Sequence, residues 1–120
     1  MIRRQNHNEA PTRAALYARS SQLKPLSEIH ALQAQVDRCA AYSLEHGYIV
    51  SHDQHYAEVR AGSTDSDRPA LACLCEAVRQ GCVAVVVVSS LDRLARDAAE
   101  SAILVEEFKA AGVTIATAGA

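Results

Sequence analysis

The stretch VAVVVVSSLDRLAR, residues 83–96, decides the fold. Val83 to Val88 is a run of six apolar residues without alternation. Such a run predicts a strand buried on both faces, as in a parallel sheet. Ser89 to Arg96 then reads as a loop or short turn. Upstream, Asp67-Arg68-Pro69 opens a helix that runs to about Gln80 and stops at Gly81; Pro suits a helix start because the first turn has spare N–H groups. Downstream, Asp97 is placed to cap a last helix, with Glu100 at the third position as in a capping box. That helix stops at Gly112, and Val113 to Thr117 begins another strand. Toward the N-terminus, Ala14 to Ser21 reads as a strand, Leu23 to Leu26 as a loop containing Pro25, and Ser27 to His46 as a helix. Ile29, Leu32, Val36, Cys39, Ala40 and Ser43 form its apolar stripe, and Gly47 is its stop. Tyr48 to Tyr56 has strand character and loops, and the Gly-, Ser- and Asp-rich stretch Ala57 to Asp67 reads as a loop. The order βαβαβαβ predicts a three-layer α/β domain: a mostly parallel sheet in flavodoxin-like order with helices on both faces.

Composition agrees with one such domain. The 120 residues are 49% apolar, with four Tyr, one Phe and no Trp, so the core is built from Ala, Val, Leu and Ile. The longest apolar run, Cys82 to Val88, is far short of the roughly 20 residues of a membrane span. Residues 1–12 are polar and aperiodic and read as a flexible arm rather than a secretory signal. A soluble, cytoplasmic protein away from membranes is expected. Cys39, Cys73, Cys75 and Cys82 are then expected to be structural thiols, with Cys39 and Cys82 as small core residues. Residues 73 and 75 point to nearly opposite faces of a helix and cannot share a metal. The final strand reaches Ala120 with nothing to cover it, which predicts a domain cut before further structure.

Net charge is −2, which argues against gripping nucleic acid by bulk charge alone. Ten of the twelve basic residues are Arg, the better partner for bidentate contact with phosphate. In an open parallel sheet, ligands bind beyond the carboxyl ends of the strands. Three polar clusters fall there: Tyr17-Ala18-Arg19-Ser20-Ser21, then Glu58 to Gly62 leading to Asp67-Arg68-Pro69, then Leu91 to Arg96. They gather Arg19, Arg68, Arg93 and Arg96 with a serine pair. Alternation puts Tyr17, Arg19 and Ser21 on one face of their strand and Ser20 on the other. Cations converging on a hydroxyl suit attack on a phosphodiester, where they stabilise transition-state charge and ease serine deprotonation. Asp92, beside Arg93, is placed to orient or neutralise an arginine. His7, His30, His46, His52 and His55 lie away from the serines and read as surface residues. No Asp/Glu/His set has metal-ligand spacing and no glycine-rich phosphate loop is present, so neither metal catalysis nor ATP use is expected.

These motifs, in this order, resemble the catalytic domain of the serine recombinases, the resolvase/invertase family, over roughly residues 13–120. The resemblance rests on Tyr-Ala-Arg-x-Ser at Tyr17 to Ser21, Gln35 in the first helix, Glu58 and Gly62 followed by Asp67-Arg68-Pro69, and Leu-Asp-Arg-Leu-x-Arg at Leu91 to Arg96. It implies that Ser21 attacks a DNA phosphate to form a 5′-phosphoserine link and release a 3′-hydroxyl. Arg19, Arg68, Arg93 and Arg96 would bind that phosphate, Gln35 would help hold the site, and Asp92 would position an arginine or take part in proton transfer. Tyr17 and Glu58 would support the site. The family uses no cofactor, works as a dimer that assembles into a tetramer on DNA, and continues into a long helix and a DNA-binding domain. Ser20, Gln22, Glu58 and Ala61 depart from its usual Val, Thr, Asp and Ser. The loop carrying Lys24 and Pro25 is longer than in small resolvases and points toward the larger or transposon-type members. Two other readings remain open at this point: a recombinase remnant acting as an interaction or regulatory module, and an unrelated flavodoxin-like phosphate-binding domain.

Overall fold

The computed structural model describes residues 11–21, 25–60, 68–95 and 97–119; the side chains of 21, 25–29 and 60 also lie outside the description. The expected arm over its first ten residues, Gln22, Lys24, Ala61, Gly62, Asp67 and Arg96 therefore lie outside the described residues.

The elements are β1 (Ala14–Ser21), α1 (Pro25–Glu45), β2 (His55–Arg60), α2 (Pro69–Arg79), β3 (Val85–Val88), α3 (Leu91–Leu94), α4 (Ala98–Ala110) and β4 (Thr114–Thr117), with a 3-10 turn at His52–Gln54. The four strands form one parallel sheet in the order β2-β1-β3-β4. The chain leaves β1 for one edge and returns to β3 on β1's other side. That reversal opens a crevice at the carboxyl ends of β1 and β3.

The strand core follows the pleat. Ala14 and Leu16 of β1 and Val85 and Val87 of β3 pack with Cys39 and Val36 of α1. Ala15, Tyr17, Val86 and Val88 point the other way, onto Leu71, Leu74 and Val78 of α2 and Leu104 and Phe108 of α4. Four consecutive buried valines in β3 thus serve both faces, as an unalternating apolar run requires. Each contributes on the order of 1.5–3 kcal/mol relative to an exposed side chain.

Helix ends follow local chemistry. At Gly47, φ is +73°, and the N–H of Tyr48 bonds the carbonyl of Ser43 while that of Gly47 bonds Leu44. This is a left-handed glycine cap, and Gly81 closes α2 in the same way. At the other end of α1, Pro25 lies inside the helix rather than in a loop. Its fixed φ and missing N–H suit a first turn.

Four further expectations change. Ala57 to Arg60 belong to β2 and not to a loop, because they pair with β1 from Ala18↔Ala57 to Ser21↔Arg60. β3 starts at Val85, with Val83 and Ala84 leading into it. Cys82 is exposed rather than core, since it follows the Gly81 cap on the surface, whereas Cys39 is buried. Ala40 is exposed on α1, and Gln35 joins the buried side of that helix. Among the described residues, no helix is long and apolar enough to cross a membrane.

Candidate active site

The crevice between β1 and β3 is closed by an exchange between two arginines. Arg19 donates from Nε to the carbonyl of Arg93 at 2.9 Å and from Nη2 to the carbonyl of Asp92 at 2.6 Å. Arg93 returns a long bond from Nη1 to the carbonyl of Arg19, 3.3 Å. The end of β1 is thereby tied to α3, the single helical turn that follows β3. The carbonyls of so short a helix have no next turn to bond and are open to side-chain donors.

Gln35 holds the same strand end from the α1 layer. Its Oε1 accepts from the Arg19 N–H at 3.1 Å and its Nε2 donates to the Arg19 carbonyl at 2.9 Å. The β1–β3 ladder stops at Leu16↔Val87, so this side-chain amide takes over where the strand partner ends. Ser20 is only 2% exposed, and the strand continues through Ser21, whose side chain lies outside the described residues.

Glu58, on β2, reaches the start of α2. It accepts from the N–H groups of Ala70 at 2.9 Å and Leu71 at 3.2 Å. A carboxylate there satisfies two of the helix's spare donors and complements its dipole. The Tyr17 hydroxyl donates to the same carboxylate at 2.5 Å. Burial, and next the bond to Glu58, push the Tyr17 pKa well above the ordinary phenol range.

Arg68 does not share the open edge with Arg19 and Arg93. It is 3% exposed, and its guanidinium donates to the Leu94 carbonyl at 3.1 Å and to Glu100 at 2.6 Å. Sequence reading gave Glu100 only a capping role. Asp97 does cap α4 by accepting from the Glu100 N–H at 2.8 Å, and the Glu100 carboxylate also meets Arg68. An acid one turn into a helix that follows an arginine-rich turn is the signal that was available. Asp92 differs too. Its main-chain carbonyl, not its carboxylate, meets Arg19, and the carboxylate accepts from the Ser90 hydroxyl. That bond, aided by the Arg93 charge, holds the Asp92 carboxyl below its usual range. Arg93 is half-buried, and no carboxylate pairs with it among the described residues. Among those residues no three His, Cys, Asp or Glu side chains gather as a metal site.

With this arrangement in place, the model of the resolvase N-terminal domain matches residues 14–119. The chain belongs to the resolvase family. The reading of an unrelated flavodoxin-like module therefore falls. Solved structures of serine recombinase catalytic domains share the fold. The C-terminal catalytic domain of ISC1926 TnpA, an IS607-like serine recombinase, superimposes with a TM-score of 0.77 at 27% identity, covering 89% of this chain and 70% of that one. A serine recombinase from Sulfolobus solfataricus gives 0.70 at 25% identity, covering 90% and 69%. The N-terminal catalytic domain of TP901-1 integrase gives 0.74 at 23% identity, covering 89% and 77%, a likeness of fold alone. No curated protein matches the chain. This resolvase-family domain thus carries its motif residues at the carboxyl edge of the sheet: Arg19 and Arg93 joined there, Arg68 tucked behind them, and Gln35 and Glu58 bracing the strand ends.

Proposed function

We propose that this chain is the catalytic part of a site-specific DNA recombinase, which cuts and rejoins DNA through a 5′-phosphoserine on Ser21. The observation that carries the reading is the Arg19–Arg93 exchange at the sheet's reversal point, beside the strand end that bears Ser21. In the proposed reaction the Ser21 hydroxyl loses its proton and Oγ bonds to the scissile phosphorus. The P–O3′ bond breaks and the leaving oxygen takes up a proton. Rejoining runs the same exchange backward: a 3′-hydroxyl attacks the phosphoserine and Ser21 is released. One phosphoester replaces another at each step, so the linkage energy is kept.

Arg19 and Arg93 would serve by turning guanidinium donors now bonded to main-chain carbonyls onto the charged phosphate oxygens, where transition-state charge grows. Arg96 is assigned to the same task. Arg68 would join once its contact with Glu100 rearranges. Gln35 and Glu58 are assigned to fixing the strand ends, Tyr17 to holding Glu58, and Asp92 to shaping the α3 turn. The burial of Ser20 supports Ser21 as the nucleophile. DNA is the proposed substrate, and copies of the complete protein would pair into dimers and then a tetramer across two sites.

The test is covalent capture on DNA carrying a nick beside the cleavage site. The complete protein should yield a 5′-linked adduct, and its Ser21→Ala variant should yield none. Adducts that persist in Ser21→Ala and vanish in Ser20→Ala would move the chemistry to Ser20.

A further inference from the structure

A second cleft opens on the α1 side of the sheet, next to the proposed site. It has a volume of about 270 Å³ and is lined by Gln35 and Arg38 of α1, by Ser89 and Ser90 after β3, and by Arg93. No acidic residue lines it. At about 30 Å³ per water it has room for roughly nine, enough for a phosphate group with its sugar carbons. Arg38 is exposed on α1, and among the described residues no acid or carbonyl bonds to it. The neighbouring acids are engaged elsewhere: Asp37 accepts from Gln33 at 2.8 Å, and Asp92 accepts from Ser90. Gln35 spends both ends of its amide on Arg19. The donors left facing the cleft are therefore two guanidinium groups and the Ser89 hydroxyl, a set suited to a phosphate rather than to a cation or an apolar group.

We infer that this cleft binds a backbone phosphate of DNA beside the scissile one, with Arg38 as its main contact. The inference deepens the recombinase reading and rests on it, because Arg93 is a wall common to the cleft and the proposed catalytic site. A polymer with phosphates at regular spacing can fill both places at once, whereas a free anion fills one. Arg38 lies outside every motif on which the family resemblance rests.

The experiment uses the full chain, labelled with ¹⁵N, and two probes: sodium phosphate and a duplex oligonucleotide. Phosphate should shift the Arg38 side-chain and Ser89 amide resonances, and duplex should compete for the same signals. In anisotropy titrations, Arg38→Gln should lower the slope of log K against log salt by about 0.9, one phosphate contact. Affinity at 50 mM salt should fall about tenfold, the counterion-release factor of one contact. Arg79→Gln, remote on α2 and paired with Glu76, should leave the slope unchanged. Because residue 38 is exposed, the variant should fold as wild type does.

Phosphate shifts absent at Arg38 and Ser89 would overturn the cleft as an anion site. Phosphate binding that duplex does not displace, duplex binding too weak to detect, or an unchanged slope in Arg38→Gln would overturn its assignment to DNA. Ser21 adducts report separately. Adducts with an unchanged slope remove the cleft and keep the recombinase reading, and a lowered slope without adducts does the reverse.

Discussion

Replacing Gln35 by Ala isolates the contact that ends β1. The substitution removes an acceptor at 3.1 Å from the Arg19 N–H and a donor at 2.9 Å from its carbonyl. Gln35 is buried, so water does not freely replace it. A partly buried group left without its partner costs about 1–3 kcal/mol. The Arg19 carbonyl keeps a long bond from Arg93, so its share falls at the low end. The sum is about 2–4 kcal/mol. For a domain of this size, at roughly 4 °C per kcal/mol, that lowers the melting temperature by about 8–16 °C. Gln33→Ala is the matched control: the same residue type, two positions earlier on α1, exposed and, among the described residues, bonded through its side chain to Asp37. An i,i+4 pair of that kind contributes at most about 0.5 kcal/mol. Urea unfolding of the two variants and the wild type, with m-values compared, measures both effects. A Gln35→Ala loss no larger than that of Gln33→Ala would refute the view that this amide stands in for a missing strand.

Two further outcomes follow from the same contacts. Glu100→Ala should cost about 3 kcal/mol by urea unfolding, because it removes the carboxylate that meets the buried Arg68 guanidinium at 2.6 Å, whereas Glu76→Ala, which breaks the exposed pair with Arg79, should stay within about 0.5 kcal/mol. Burial pushes the Cys39 thiol up from 9.0 to about 11. In that window an unfolded thiol ionises while the folded one holds its proton, so stability is present below pH 9 and falls toward pH 11, by up to about 1.4 kcal/mol per pH unit. Cys39→Ala should flatten that slope in unfolding measured from pH 8 to 11, whatever it does to the absolute stability.

The parts of the fold legible in the sequence are those where burial dictates residue type. Val85 to Val88 announced a two-faced strand because all four are buried and nothing polar survives there, and Gly47, Gly81 and Gly112 marked helix ends because the left-handed cap needs them. β2 was hidden for the opposite reason. His55-Tyr56-Ala57-Glu58-Val59-Arg60 is an edge strand whose side chains from His55 to Val59 are half-buried or exposed, and its place is set by pairing with β1 rather than by its own pattern. Glu58 was legible as a motif residue, but its bonds to Ala70 and Leu71 depend on where β2 and α2 meet in space. Arg68 shows the same limit: residue type placed it among the arginines, and only tertiary contact shows it enclosed with Glu100. Cys82 misled because a thiol reads as apolar while the cap that precedes it puts it on the surface.

The residues that brace the site come from three different helices. Gln35 belongs to α1, the donors met by Glu58 to α2, and Glu100 to α4. The Gln35 and Glu58 bonds each join a strand end to the helix that follows it in the chain, while the Arg68–Glu100 pair joins the start of α2 to α4 on the same face of the sheet. A small shift of α4 therefore changes the Glu100 acceptor of Arg68, and a shift of α1 changes the main chain of Arg19. Arg68, Arg19 and Arg93 meet through the main chain of the α3 turn, since Leu94 accepts from Arg68 while Asp92 and Arg93 accept from Arg19. That four-residue turn is thus the common joint of the three arginines. In the proposed reaction these contacts would have to give way for the arginines to meet a phosphate, while the valine core of the sheet lies outside the exchange.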